Sequence, residues 1–162
     1  MLCACPNCHV LVQSVCSSRC RPKLTSIFYG WPSFHDAEVL EIHFWRGHID
    51  IEGQVYDFPV LTAKIHLWLT TNNVDESGYY ECIKHTLATM KFYDVDNFKM
   101  EGFNHQNAIL GLAIEQKTRE DGPTPYFSVD FDPAFGIDAS FTCRRIEVSQ
   151  AQPCTSQGVP IS

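Results

Sequence analysis

The feature that most constrains this sequence is a long run, residues 60–71, in which apolar and polar side chains alternate. A period of two is typical of a β-strand, because successive side chains of a strand point to opposite faces of its sheet. One face would carry Leu61, Ala63, Ile65, Leu67 and Leu69, and the other Thr62, Lys64, His66, Trp68 and Thr70. We therefore predict a strand with one face packed on a core.

Weaker forms of the same alternation recur along the chain and predict a mainly β protein. Turn residues separate further predicted strands at residues 39–45, 48–52, 82–93, 98–103, 107–116, 126–131 and 137–148. Short strands at regular spacing indicate a single antiparallel β-sheet domain, curled or sandwich-like, with little helix. We expect at most one helical turn, at residues 105–109.

Charge and cysteine content divide the chain into three segments. Residues 1–24 hold five of the eight cysteines and a charge of +3, whereas the rest holds 9 basic and 19 acidic residues, a charge of −10. We interpret residues 1–24 as a Cys-rich N-terminal extension, either unstructured or the product of a mis-assigned start. Residues 25–150 form the predicted β-rich domain, and residues 151–162, rich in Gln, Ser and Pro, a flexible tail.

Composition excludes several classes of protein. A chain that is 44% hydrophobic and 12% aromatic is too apolar to be disordered. It contains no apolar run of the roughly 20 residues that a membrane span needs, and no secretory signal is evident. Because cysteines are sparse after residue 24, we expect the reducing cytoplasm. The acidic body disfavours nucleic acid and suits a basic partner.

The N-terminal cysteines leave two interpretations open. Cys5, Cys8, Cys16 and Cys20 form two close pairs that could supply four thiolates to a tetrahedral zinc ion. Such spacings also arise by chance in segments without a function. We take the second interpretation and predict no cofactor.

The segment 31–38, just before the first predicted strand, carries the most chemistry. It begins at Trp31, a motif residue without an assigned role, and His35 and Asp36 with Glu38 offer an acid–base pair or two metal ligands. With His105, which follows Asn104 in a later loop, His35 and Asp36 could form a small metal-dependent hydrolase. The simpler interpretation is that Asp36 and its neighbours bond the backbone of a turn. No phosphate-binding loop, nucleophile elbow or zinc-protease motif supports an enzyme.

Recognition of another protein fits the polar strand faces better than catalysis does. His43, His66 and His85 fall there beside Trp45 and Trp68, and Trp contributes strongly to protein interfaces. Together with the exposed acids Asp36 and Glu38, Trp45 and Trp68 are the residues that we predict for recognition.

The order of motifs resembles the immunity protein 50 family. The resemblance covers about residues 27–154 and rests on the segments YGWPSFHDAEV at 29–39, IHLW at 65–68, EGFNHQN at 101–107 and FTCRRIEV at 141–148. It implies a small bacterial protein that is encoded beside a polymorphic toxin and neutralises that toxin by binding it. It implies no reaction and no catalytic residue, so we expect a non-enzyme whose partner is a cognate toxin domain.

Overall fold

The computed structural model describes residues 21–47, 49–56, 58–120 and 122–161. A short helix, α1 (Arg21–Phe28), precedes the strands. The strands are β1 (Glu38–Trp45), β2 (Ile49–Ile51), β3 (Gln54–Tyr56), β4 (Val60–Val74), β5 (Tyr80–Tyr93), β6 (Asp96–Glu101), β7 (Ala108–Arg119), β8 (Gly122–Phe135), β9 (Asp138–Cys143) and β10 (Arg145–Pro153). The described residues contain no helix long and apolar enough to cross a membrane.

Eight strands form one antiparallel sheet in the order β10-β5-β4-β1-β7-β8-β9-β6, and β2 and β3 form a separate hairpin between β1 and β4. The predicted fold class, an antiparallel β protein with little helix, is confirmed.

The chain connections show that this sheet is curled. Strand β6 follows β5 after only two residues, and β10 follows β9 after Arg144 alone, although the strands of each pair lie near opposite ends of the sheet order. Three Cα–Cα steps span about 11 Å at most, so the two ends of the sheet lie close together. The halves β10-β5-β4-β1 and β7-β8-β9-β6 therefore form two layers, joined at the Glu38–Ala108 pair of β1 and β7.

The core lies between these layers. The ring of Phe92 in β5 lies 6.3 Å from that of Phe131 in β8 and 5.0 Å from that of Phe141 in β9. The alternation predicted for residues 60–71 is seen in β4, where the inward positions Leu61, Ala63, Ile65 and Leu67 are buried. Such burial contributes about 25 cal/mol per Å² of apolar surface, so the two inner faces hold the fold together.

Strands β4 and β5 continue past their neighbours as a two-stranded ribbon. Strand β1 pairs with β4 as far as His66, and β10 pairs with β5 only as far as Thr86. Within the described part of the chain, the strand pairing of residues 68–83 is only with one another. We call residues 68–83 the arm. Leu69, predicted to lie inward, is 37% exposed, because the arm extends past the second layer and is not packed against it.

Two local predictions differ from the structure. Residues 105–107 form no helical turn, because side-chain bonds of Asn104 shape the loop instead. The strand predicted at 137–148 is two strands, since the Arg144 amide donates to the carbonyl of Tyr93 (2.9 Å) where the chain changes layer.

The ends of the β-rich part also differ from those expected. The expected start at residue 25 falls inside α1, whose Leu24 is fully buried in the core. Strand β10 runs to Pro153, past the expected end at 150, and the amide of the buried Cys154 donates to the His85 carbonyl (3.0 Å).

Candidate functional site

The loop before β1 is fixed to β7 by backbone hydrogen bonds. The amides of Asp36 and Val39 donate to the carbonyls of Ile109 (3.0 Å) and Asn107 (2.9 Å). Phe34 is buried against the half-buried Trp31, with ring centroids 5.6 Å apart. Trp31 and Phe34 therefore anchor the loop, and this favours a structural role for much of the 31–38 motif.

His35 and Asp36 form an exposed polar pair in this loop. The Nδ1 atom of His35 lies 2.9 Å from the Asp36 carboxylate, and their side chains are 59% and 62% exposed. Water screens a pair this exposed, so it stabilises the fold little. Both side chains are free to contact a partner.

The loop that carries Asn104 and His105 is a closed hydrogen-bonded corner. The amide of Asn104 donates to Oδ1 of Asn107, and Nδ2 of Asn107 donates back to the Asn104 carbonyl, both at 2.8 Å. Asn107 is buried. Gly136 packs directly on this corner, because a Cβ there would lie 2.1 Å from the Gln106 carbonyl oxygen. Asn104 therefore has a structural role, while His105 is exposed.

The two histidine loops meet through backbone without forming a metal cluster. Among the described residues, no group of three or more His, Cys, Asp or Glu side chains is placed to hold a metal ion. His35, Asp36 and His105 therefore do not form such a group in the described part of the chain. The alternative zinc ligands Cys5, Cys8, Cys16 and Cys20 lie outside the described residues.

Trp45 lies at the far end of β1 from Asp36. Its indole covers Gly47, where a Cβ would lie 2.2 Å from the ring. Beside it is an open groove of about 290 Å³ on the outer face of the first layer, lined by His43, Trp45, Val60, Thr62 and Lys91.

Trp68 belongs to a different cluster, at the base of the arm. The ring of His66 lies 5.0 Å from that of Trp68, and its Nε2 is 3.0 Å from Nδ1 of His85. Gly158 packs over the buried His66 ring, because a Cβ at Gly158 would lie 3.4 Å from it. Burial, and then the neighbouring His85, lower the pKa of His66, so its neutral form is favoured here. The alternation in the sequence predicts that these rings share one face of the sheet. It does not predict the contact between His66 and Gly158, because these residues are far apart in sequence.

The outer face of the second layer is acidic. Asp130 on β8 pairs in register with Ala113 of β7 and Ser140 of β9. Burial raises the pKa of Asp130, and the negative charges of Asp132, Asp138 and Glu115 raise it further. All four acids are exposed. Sequence analysis recognised the acidic body but not this concentration on one face, which requires the strand register.

The four residues predicted for recognition occupy two regions. Glu38 pairs in register with His66, which is two positions from Trp68 along β4. Asp36 lies two residues before Glu38 in the chain. Trp45 pairs with Val60, eight positions from Trp68 along β4, which corresponds to about 26 Å at 3.3 Å per residue. Asp36, Glu38 and Trp68 are thus at the end of the sheet from which the arm projects, and Trp45 is at the other.

Comparison with known proteins assigns the chain to a family. The family model described as Immunity protein 50 matches residues 21–154, from the first residue of α1 to the buried Cys154. No curated protein and no solved structure matches the chain. The match spans most of the sequence, including both loops that meet between β1 and β7. The chain therefore belongs to the Immunity protein 50 family.

Proposed function

We propose that this protein is a bacterial immunity protein that binds a cognate polymorphic toxin in the cytoplasm and neutralises it, without catalysing a reaction. The family match over residues 21–154 carries this proposal. Inhibition by binding requires a stable surface complementary to the toxin, and it requires no cofactor.

The loops with the most reactive side chains support a binding role. Trp31 packs against the core, Asn104 and Asn107 bond each other within their loop, and His35 and Asp36 stand mostly exposed on a surface loop. General acid–base catalysis relies on a group in a pocket with a tuned pKa. These residues are better placed to contact a protein.

Charge supports a basic partner. The chain carries a net charge of −7, and Glu115, Asp130, Asp132 and Asp138 concentrate negative charge on one face. Such a surface attracts a basic protein over long range and speeds its association. A toxin that acts on nucleic acid would have the required positive charge.

Co-expression tests the proposal directly. A host producing the toxin domain encoded by the neighbouring gene should grow only when this protein is also made, and the two should co-elute on size exclusion. The His35→Ala and His105→Ala variants should lose protection only to the extent that they lose toxin binding, because no reaction depends on them. Lack of protection by the wild-type chain against an active toxin domain would refute the proposal, and loss of protection in both variants without loss of binding would favour an enzyme.

The two regions that contain the predicted recognition residues can be tested separately. Asp36→Ala and Glu38→Ala change the end near the arm, and Trp45→Ala changes the opposite end. We propose that substitution at one or both ends of the sheet lowers the affinity for the toxin, which calorimetry measures. Unchanged affinity in all three variants would show that none of these residues contacts the toxin.

A further inference from the structure

The arm is a long projection that contributes little to the core. Outside Thr71 and Ile83, which are half-buried, residues 69–83 are exposed. Both of its backbone edges lack a neighbouring strand among the described residues. Free strand edges promote unwanted pairing, and proteins usually shorten or cover them, so a projection of this length needs another explanation.

Local contacts hold the arm in one shape. At its tip the Asp75 amide donates to the Tyr79 carbonyl (2.8 Å), and the Asp75 carboxylate accepts the amides of Ser77 (2.8 Å) and Tyr79 (2.9 Å). Across the ribbon, Nδ2 of Asn73 donates to the Glu81 carboxylate (3.2 Å). A segment that is already ordered loses less conformational entropy when it binds.

The arm exposes large side chains that the fold does not use. Tyr79 and Tyr80 are 73% and 62% exposed, and Val74, which pairs in register with Tyr80, is 56% exposed. Tyrosine is enriched at protein interfaces and among the residues that dominate their binding energy. These tyrosines are not among the residues predicted for recognition, although two adjacent aromatics beside a polar turn are a usable signal in a sequence.

The other long hairpin provides a contrast within the same molecule. Strands β7 and β8 also extend past the last residue of β9, over residues 116–126. No large apolar residue of that extension is strongly exposed among those described, and its charge is mixed, with Lys117 and Arg119 beside Glu120. Of these two long extensions, the arm is therefore the one with strongly exposed large apolar side chains among the described residues.

The charge of the arm indicates the kind of partner. Residues 68–83 include Asp75, Glu76 and Glu81 and no lysine or arginine. A surface with tyrosines and an excess of acids is complementary to a protein cleft that has apolar walls and a rim of basic side chains. We infer that the arm inserts into such a basic cleft of the toxin domain and is the main contact that neutralises it. This inference rests on the function proposed above.

Paired substitutions test the inference with the full-length chain and the toxin domain encoded by the neighbouring gene. The double variant Tyr79→Ala/Tyr80→Ala should raise the Kd at least about 30-fold, since it removes two interface aromatics. Glu76→Lys should lower the association rate, because it reverses one charge of the arm. The matched controls Phe135→Ala and Glu120→Lys remove an exposed ring and reverse a hairpin charge elsewhere. Phe135→Ala should bind like wild type, and Glu120→Lys should slow association less than Glu76→Lys does.

Alkylation of Cys82 gives a second measurement that needs no substitution. Cys82 is exposed on the arm, whereas Cys143 and Cys154 are buried. The rate at which iodoacetamide modifies Cys82, followed by mass spectrometry of its peptide, should fall at least about tenfold when the toxin domain is bound.

The outcomes separate this inference from the function on which it rests. If the wild-type chain neither protects nor binds, both are wrong. If the wild type binds while the tyrosine variant keeps its affinity and Cys82 stays reactive, the immunity function stands and the arm is not the contact. If the arm instead pairs two copies of this chain, the tyrosine variant will abolish a dimer without changing toxin affinity, and that result also overturns the inference.

Discussion

At the scale of single residues, a glycine allows the GFNHQN loop at 102–107 to pack against the β8–β9 turn. Gly136 has a φ of +81°, and a Cβ there would overlap the Gln106 carbonyl oxygen at 2.1 Å. Any side chain would therefore push the Asn104–Asn107 corner away from the β8–β9 turn. The sequence GFNHQN could be recognised as a loop, but its dependence on a glycine some 30 residues later could not.

We expect Gly136→Ala to lower the free energy of unfolding by about 2 kcal/mol or more, because it adds a steric clash to an unfavourable φ. Gly53→Ala is the matched control, since Gly53 has a φ of +80° and open space around its Cα. It should cost only about 1 kcal/mol. Urea denaturation of both variants measures the difference, and equal losses would show that the contact with residue 106 does not matter.

His66 makes stability depend on pH. Burial lowers its pKa in the folded protein, so the unfolded chain takes up the proton first as the pH falls. The contribution of His66 is fully present above the unfolded pKa of about 6.5 and is lost as the pH falls towards the folded value. Burial raises the pKa of Asp94 and of Asp130 in the folded protein, so the folded chain takes up these protons first as the pH falls. These two groups therefore favour the folded state on acidification, in the lower pH range where carboxyl groups titrate.

Comparing melting temperatures at pH 7.5 and 5.5 isolates this effect. The decrease on acidification should be smaller in His66→Gln, which keeps a hydrogen-bonding side chain but does not titrate. The exposed His105→Gln should behave like wild type. An identical decrease in all three proteins would mean that His66 does not contribute.

At the scale of elements, sequence periodicity located most strands and failed on their ends and partners. Residues 60–71 and 82–93 were predicted as strands and lie within β4 and β5, because alternation is a local signal. The last residues of β4 and the first of β5, which form the end of the arm, were missed, since residues 72–78 read as a turn. The order of the strands in the sheet could not be predicted either, because pairs such as β5 with β10 join residues far apart in sequence.

Helix α1 is the element whose contribution is easiest to measure. Leu24 is fully buried in the core, although α1 is only eight residues long and a helix of that length is not stable alone. We expect Leu24→Ala to cost about 2 to 4 kcal/mol. Ser26→Ala, on the exposed side of α1, should change stability by less than about 0.5 kcal/mol. Equal effects in thermal melts would show that α1 does not pack as described.

At the scale of the whole molecule, charge is expected to govern how fast the protein finds its partner. With a net charge of −7, association with a basic toxin domain should slow markedly between 50 and 500 mM NaCl, whereas dissociation should change little. Surface plasmon resonance at several salt concentrations measures both rates. An association rate indifferent to salt would contradict the proposal of a basic partner.

The path of the chain between layers has a consequence for synthesis on the ribosome. The edge of β5 is covered by β10, which is made about 60 residues later. At 5 to 20 residues per second, that edge stays open for roughly 3 to 12 s. During this interval the nascent chain presents an unpaired strand edge beside an incomplete core, the combination most prone to aggregation. Neutralising capacity in the cell would then follow the number of finished chains, and early termination within β10 would produce insoluble protein rather than a weaker inhibitor.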